Sequence, residues 1–188
     1  MHHYTAALGQ LRHHDLLFAC PCTRKELAGG VHQHGCLTGK PDFTAANVAW
    51  RINTRNLPPV LIPDEVSPAG FMVNPHTVIP DFVVRNKAQR PSYQLACTVD
   101  DRLFFVNRVG RGQDLLPSTA AQAILSDLLG YPALFERISF VHHPLLKNED
   151  GMKLSKSAGA ASGPQLLPEV LVKQLDDLVT EWLTPGMG

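Results

Sequence analysis

The stretch NEDGMKLSKS, residues 148–157, sets two lysines and a serine, Lys153, Ser155 and Lys156, behind a glycine. Two ammonium groups at i and i+3 suit a polyphosphate, because positive charge there stabilises the negative charge that moves onto a departing pyrophosphate. Gly151 before the lysines and the Ala/Gly/Ser run after them give the segment freedom to close over a nucleotide. The same letters also describe a solvated polar turn, so the companions of the motif decide between the two.

A second chemical cluster lies near the start, in ACPCTRKELAGGVHQHGC. Cys20, Cys22 and Cys36 crowd there beside His32 and His34, and Cys97 stands apart in QLACTVDD. Without a secretory leader, thiols and imidazoles gathered this tightly read as a metal site rather than as disulfides. Three cysteines and one histidine complete a closed tetrahedral set for a structural zinc ion, with the histidine open between His32 and His34. Cys97 reads as a small buried residue in a strand.

The elements that must position these groups follow from patterning. Residues 2–14 are expected to be helical, with Tyr4, Leu8 and Leu11 on one face. NVAWRIN alternates Val48, Trp50 and Ile52 as a half-buried strand does. Recurrent prolines from 56 to 80 suggest an irregular connector. IPDFVVRN and SYQLACTVDD read as two strands around a turn at KAQRP, with Asp100 and Asp101 at a strand-end turn, and RLFFVNRVGRG as a further apolar run. In PSTAAQAILSDLLG, Thr119 and Gln122 have capping-box spacing, Ile124, Leu125, Leu128 and Leu129 form an apolar face, and Gly130 ends the helix. RISFVHHPLL is a buried strand leading into the lysine loop, and PEVLVKQLDDLVTEWL a closing helix. Strand, helix and strand across 103–147 indicate part of an α/β sheet.

Composition bounds the rest. The 188 residues carry 17 Lys plus Arg against 17 Asp plus Glu, so net charge makes no case for a nucleic-acid partner. With 44% hydrophobic and 18% charged residues the chain has the make-up of a soluble globular protein. No stretch approaches the roughly 18 apolar residues of a spanning helix, and MHHYTAALGQ has no signal-peptide core. No membrane partner and a cytoplasmic location are expected.

GMKLSKS resembles the KMSKS-type signature of class I aminoacyl-tRNA synthetases, and its surroundings resemble the glutamate branch of that class. SYQLACTVDD is similar to the Tyr-Gln-Leu-Ala segment with its double aspartate. RGQDLLPST is similar to the Arg-Gly-x-Asp-Leu-Leu-x-Ser-Thr segment that opens the next helix, and HHPLLKNEDGMKLSK to the His-x-Pro-Leu strand end before the signature lysines. FACPCTRKEL adds a fifth block, so the resemblance covers about residues 4–160. Within the branch, the early C-terminus and the Cys-x-Cys element point to the glutamyl-queuosine tRNA(Asp) synthetases, short paralogues that place glutamate on queuosine.

That resemblance implies an α/β fold: the C-terminal portion of a Rossmann-like catalytic domain with a small inserted zinc-binding subdomain. It divides the chain into a helix (1–15), a zinc-binding connective part (16–80), the second half of the catalytic core with the KLSKS loop (81–160) and a helical tail (161–188). It implies ATP, with Mg2+, at Lys153, Ser155 and Lys156, where the two lysines serve catalysis. It implies L-glutamate at Tyr93 and Arg111, and structural Zn2+ at Cys20, Cys22, His32 and Cys36. The expected acceptor is tRNA(Asp) bearing queuosine, and the expected state a monomer. Asp114 is expected to orient Arg111 or the helix start. A HIGH-type strand and helix is not found in the chain: MHH and RHHD are not preceded by a strand. The nucleotide fold's N-terminal half is therefore expected to be absent and adenylate formation impaired unless that half is supplied in trans. The alternatives are a degenerate tRNA- or partner-binding module and a glutamyl-tRNA synthetase fragment.

Overall fold

The computed structural model describes residues 1–23, 25–27, 36–38, 42–145 and Lys173. His32, His34, Lys153, Ser155, Lys156 and, apart from Lys173, the expected closing helix over 168–183 lie outside the described residues.

Helix α1 (His2–Leu11) buries Ala7, Leu8 and Leu11, the face that the spacing predicts, with Tyr4 partly buried beside them. It leads into an antiparallel sheet of β1 (Leu17–Cys20), β2 (Ala49–Ile52) and β5 (Val83–Arg85), in which β2 is central. Val48, Trp50 and Ile52 are buried as the alternation predicts. A second, two-stranded sheet joins β3 (Val60–Ile62) to β4 (Phe71–Val73), followed by the short α2 (Pro75–Val78).

This hairpin replaces the irregular connector expected over 56–80. Its strands are three residues each, too short to show a period, and its prolines fall outside them. The loop turns on Asp64, whose Oδ1 accepts the N–H groups of Val66 and Ser67 at 2.9 and 3.1 Å. It closes at Gly70, where φ is +67° and a Cβ would lie 2.6 Å from the Ile62 carbonyl oxygen, so only glycine fits.

SYQLACTVDD is a helix, α3 (Tyr93–Leu103), and not a strand. Ser92 caps it, accepting the Leu95 N–H at 3.3 Å. Leu95, Thr98 and Val99 are its buried residues, a helical spacing. Asp100 and Asp101 therefore lie in a helix, and Cys97 is half-buried on it rather than buried in a strand. Phe104 and Phe105 follow in an exposed turn, 74% and 75% accessible, with Phe105 at φ +54°.

Strand β6 (Arg108–Gly112) runs into a single 3-10 turn over Gln113–Leu115 and then into α4 (Leu116–Leu128), with Pro117 in its first turn. Helix α5 (Pro132–Arg137) and β7 (Ser139–His143) follow. The parallel pair β6–β7 joined through α4 and α5 is a crossover unit, the connection parallel strands require. Gly130 ends the helical segment at φ +69°, as expected. Thr119 and Gln122 do not cap: the helix begins three residues earlier, and both are buried inside it.

The main core joins α1, the β1–β2–β5 sheet, α3 and α4 through Leu11, Trp50, Ile52, Val84, Leu95 and Leu125. Two long-range polar contacts secure α1, from Tyr4 Oη to Asp100 Oδ1 at 2.7 Å and from Gln10 Nε2 to the Leu129 carbonyl at 3.0 Å. No helix among the described residues is long and apolar enough to cross a membrane.

Candidate active site and metal centre

The parallel register sets Arg111 opposite His142 and Gly112 opposite His143. In an open α/β arrangement the carboxyl ends of parallel strands are where ligands gather, and both residues sit at those ends. Gly112 leaves room for its neighbours: a Cβ there would come within 2.6 Å of Asp114 Oδ1 and 2.9 Å of Leu145 Cδ2, so those side chains would have to shift.

Arg111 is anchored from α4. Its Nη1 donates to Thr119 Oγ1 at 3.3 Å and to Gln122 Oε1 at 3.1 Å, and its Cζ stands 5.9 Å from the Phe140 ring centroid. Residues three apart share a helix face, so the spacing that resembles a capping box instead turns Thr119 and Gln122 together toward the guanidinium.

Behind Thr119 lies a fully buried polar chain. Thr119 Oγ1 is 2.8 Å from His142 Nε2, and His142 Nδ1 is 2.8 Å from Asp64 Oδ2. The Asp64 and His142 side chains are both 0% exposed. Asp64 accepts four hydrogen bonds, two from its own turn on Oδ1 and two from the His142 N–H and Nδ1 on Oδ2. Four donors fill the lone-pair positions of a carboxylate, which is what permits its burial. Burial holds the His142 imidazole below its ordinary pKa against the pull of Asp64, so the ring is neutral at physiological pH. The hairpin loop is fixed on β7 by the Glu65 N–H donating to the Phe140 carbonyl at 2.8 Å, and on β6 by the Glu65–Arg108 ion pair.

Tyr93 opens α3 and is 53% exposed. Burial, then the neighbouring Cys97 one turn along, pushes the phenol pKa up, while Arg111 pulls it down. Burial likewise raises the Asp101 carboxyl, and Arg111 opposes it. The structure thus brings Tyr93, Cys97 and Asp101 of α3 into the electrostatic field of Arg111. The sequence does not single out Asp64 or His142 as site residues, and it marks Thr119 and Gln122 only as a capping box. His142 belonged to a recognised strand end, but Asp64 carries only the weak signal of an aspartate two and three residues before the N–H groups that it binds.

Cys20, Cys22 and Cys36 come together, all buried, with their sulfur atoms within 4.8 Å of one another. Cys22 Sγ and Cys36 Sγ are 3.7 Å apart. Tetrahedral zinc with Zn–S bonds of about 2.3 Å separates its sulfurs by about 3.8 Å, so the donor set fits the ion. Burial raises the Cys20 thiol and pushes Cys36 up to about 12, while the Arg51 guanidinium pulls Cys20 down. A cation in the cluster would offset that burial cost, and thiolates are its ligands.

Solved structures establish the class of fold. The chain superposes on a crystal structure of glutamate-tRNA synthetase from Elizabethkingia anophelis with a TM-score of 0.61 and 22% identity, covering 82% of this chain and 35% of that one. A glutamate tRNA ligase from Elizabethkingia meningosepticum, in complex with its amino acid, gives the same score over 89% of this chain and 37% of that one. The fold is that of a class I tRNA synthetase catalytic domain, with mixed helices and strands. The family model for tRNA synthetases class I (E and Q), catalytic domain, matches residues 51–180, and the chain belongs to that family of ligases. Among curated relatives, the glutamyl-Q tRNA(Asp) synthetase of Methylococcus capsulatus is 35% identical over 159 residues, 84% of this chain and 51% of the relative. That of Nocardia farcinica is 36% identical over 174 residues, 85% of this chain and 53% of the relative. The chain spans about half the length of these relatives.

Proposed function

We propose that this chain takes part in ATP-dependent activation of glutamate and its transfer to queuosine-bearing tRNA(Asp), as the names of its curated relatives suggest. The observation that carries the reading is Arg111, held at a strand end by Thr119 and Gln122, with Tyr93 of α3 in its electrostatic field. A fixed planar cation suits a carboxylate, which it binds with two parallel hydrogen bonds. In activation, the α-carboxylate oxygen of glutamate attacks the α-phosphorus of ATP, the bond to the β-phosphate oxygen breaks, and pyrophosphate leaves. Tyr93 and Arg111 orient the amino acid. Lys153 and Lys156, with Ser155, hold the phosphates and receive the charge that develops on pyrophosphate, with Mg2+ accompanying the nucleotide.

In this reading residues 81–160 supply the second half of the nucleotide-binding core, and 161–188 follow it. Residues 1–15, which contain α1, precede a zinc-binding connective part over 16–80. Cys20, Cys22 and Cys36 with His32, or His34 in its place, hold a structural Zn2+, which fixes the loop between β1 and β2 and takes no part in chemistry.

Pyrophosphate exchange into ATP is the test. With the first half of the nucleotide-binding core supplied, as an N-terminal extension or in trans, exchange is expected to require glutamate, to be abolished by Lys156→Ala, and in Arg111→Ala to show a glutamate KM raised about a hundredfold, the loss of a charged bidentate contact; the chain by itself is expected to be impaired. Exchange supported equally by other amino acids, or tRNA binding without any exchange even when the first half is supplied, rejects the reading.

A further inference from the structure

We infer that Asp64, His142 and Thr119 form a directional hydrogen-bond relay that aims the Arg111 guanidinium, and that they and Gln122 are positioning residues for the carboxylate Arg111 receives; the ligand part rests on the glutamate reading above.

The direction of each link is fixed by the chemistry of its ends. Asp64 already accepts N–H groups on both oxygens and acts as acceptor toward the ring too, so the His142 proton sits on Nδ1, 2.8 Å away, and Nε2 is a bare acceptor. Thr119 must then donate its one hydroxyl proton to Nε2 at 2.8 Å rather than to the Leu115 carbonyl at 3.3 Å. That choice turns a lone pair of Oγ1 toward Arg111, which has donors only. Gln122 meets the same nitrogen with Oε1, so its amide orientation is set as well, and its buried Nε2 is a donor with no partner among the described residues.

Both protons of Nη1 are thereby engaged. The three remaining donors of Arg111, on Nε and Nη2, form its side-on fork, and no described residue takes them. A carboxylate binds such a fork with both oxygens. The relay thus engages one nitrogen from behind and leaves the pair that recognises a carboxylate. Its origin, Asp64, lies 78 residues from His142 in the chain and reaches it only because the β3–β4 loop docks on β7.

The experiment uses the chain labelled with 15N-arginine, whose side-chain resonances read the rotation of the Arg111 guanidinium, together with calorimetric titration of glutamate. Wild type is expected to show separate, slowly exchanging Nη signals. Thr119→Val keeps the shape but removes the hydroxyl, and is expected to average those signals and weaken glutamate binding about tenfold. Thr119→Ser restores both, which a purely structural role for the methyl group would not do. Gln122→Glu gives Nη1 a stronger acceptor, so the signals stay separate while glutamate binding falls about tenfold, because the guanidinium is already neutralised. Unchanged, separate Arg111 signals in Thr119→Val overturn the relay. A wild-type chain that holds Arg111 fixed, loses that in Thr119→Val, yet does not bind glutamate supports the relay and rejects the glutamate reading.

Discussion

At the scale of single residues, His142 is where burial and charge compete. Its pKa is depressed in the fold, chiefly by desolvation, while the unfolded chain takes up a proton near pH 6.5. A base with a lowered folded pKa contributes stability that is fully present above the unfolded value and is lost as pH falls toward the folded one. The urea midpoint of the wild-type chain is therefore expected to drop between pH 7.5 and 5.5. His142→Gln keeps a polar side chain but cannot titrate, and its midpoint is expected to be lower at pH 7.5 yet to change less over the same window. An equal slope in the two proteins rejects the assignment. Asp64, beside it, illustrates why a lone buried carboxylate need not be a liability: four donors already surround it, so its removal would orphan them all.

At the scale of elements, the α3 cap carries its own prediction. Ser92→Ala removes the acceptor for the Leu95 N–H and is expected to cost about 1 kcal/mol in urea unfolding, with Ser92→Asp restoring it. A variant with unchanged stability sinks the claim that this serine starts the helix. Some elements were legible before any coordinates: α1, β2, the body of α4 and β7 each carry a run long enough, or apolar enough, to declare its period. Helix α3 was not, because Leu95, Cys97 and Val99 alternate as a strand would, while Leu95, Thr98 and Val99 fit a helix equally well. Packing against α4 and α1 selects the second pattern, and only the Ser92 cap announced it. The β3–β4 hairpin was illegible for another reason: three-residue strands between prolines contain no period to read. Hidden with it was Asp64, the far end of the relay: family resemblance singled out Arg111 and Tyr93, and nothing in the sequence pointed to what stands behind them. Thr119 and Gln122 were noticed for their spacing, which is right, and given a cap, which is not.

At the scale of the whole molecule, the cysteine cluster and the main core share a sheet. Cys20 ends β1 and pairs with Ala49 of β2, next to Trp50 in the core. An ion held by Cys20, Cys22 and Cys36 would stabilise more than its own loop. Where free zinc exceeds its dissociation constant a thousandfold, the gain is about 4 kcal/mol. For a chain of this size that corresponds to about 8–16 °C in Tm. Elemental analysis is expected to find one zinc per chain, and both chelation and Cys22→Ser are expected to lower Tm by that order. A chain without metal, or a Tm indifferent to chelator, ends the zinc assignment.

Trp50 gives this arrangement a second use. Its indole is buried, with Nε1 donating to the Phe43 carbonyl at 3.3 Å, Phe43 at 5.1 Å and the Arg85 guanidinium 4.5 Å over the ring. The sequence has one other tryptophan, Trp182. With Trp182→Phe, all indole emission comes from a ring wedged between the sheet and its arginine. Its colour and its shielding from an aqueous quencher become an optical gauge of whether β1, and the cysteine at its end, is in place.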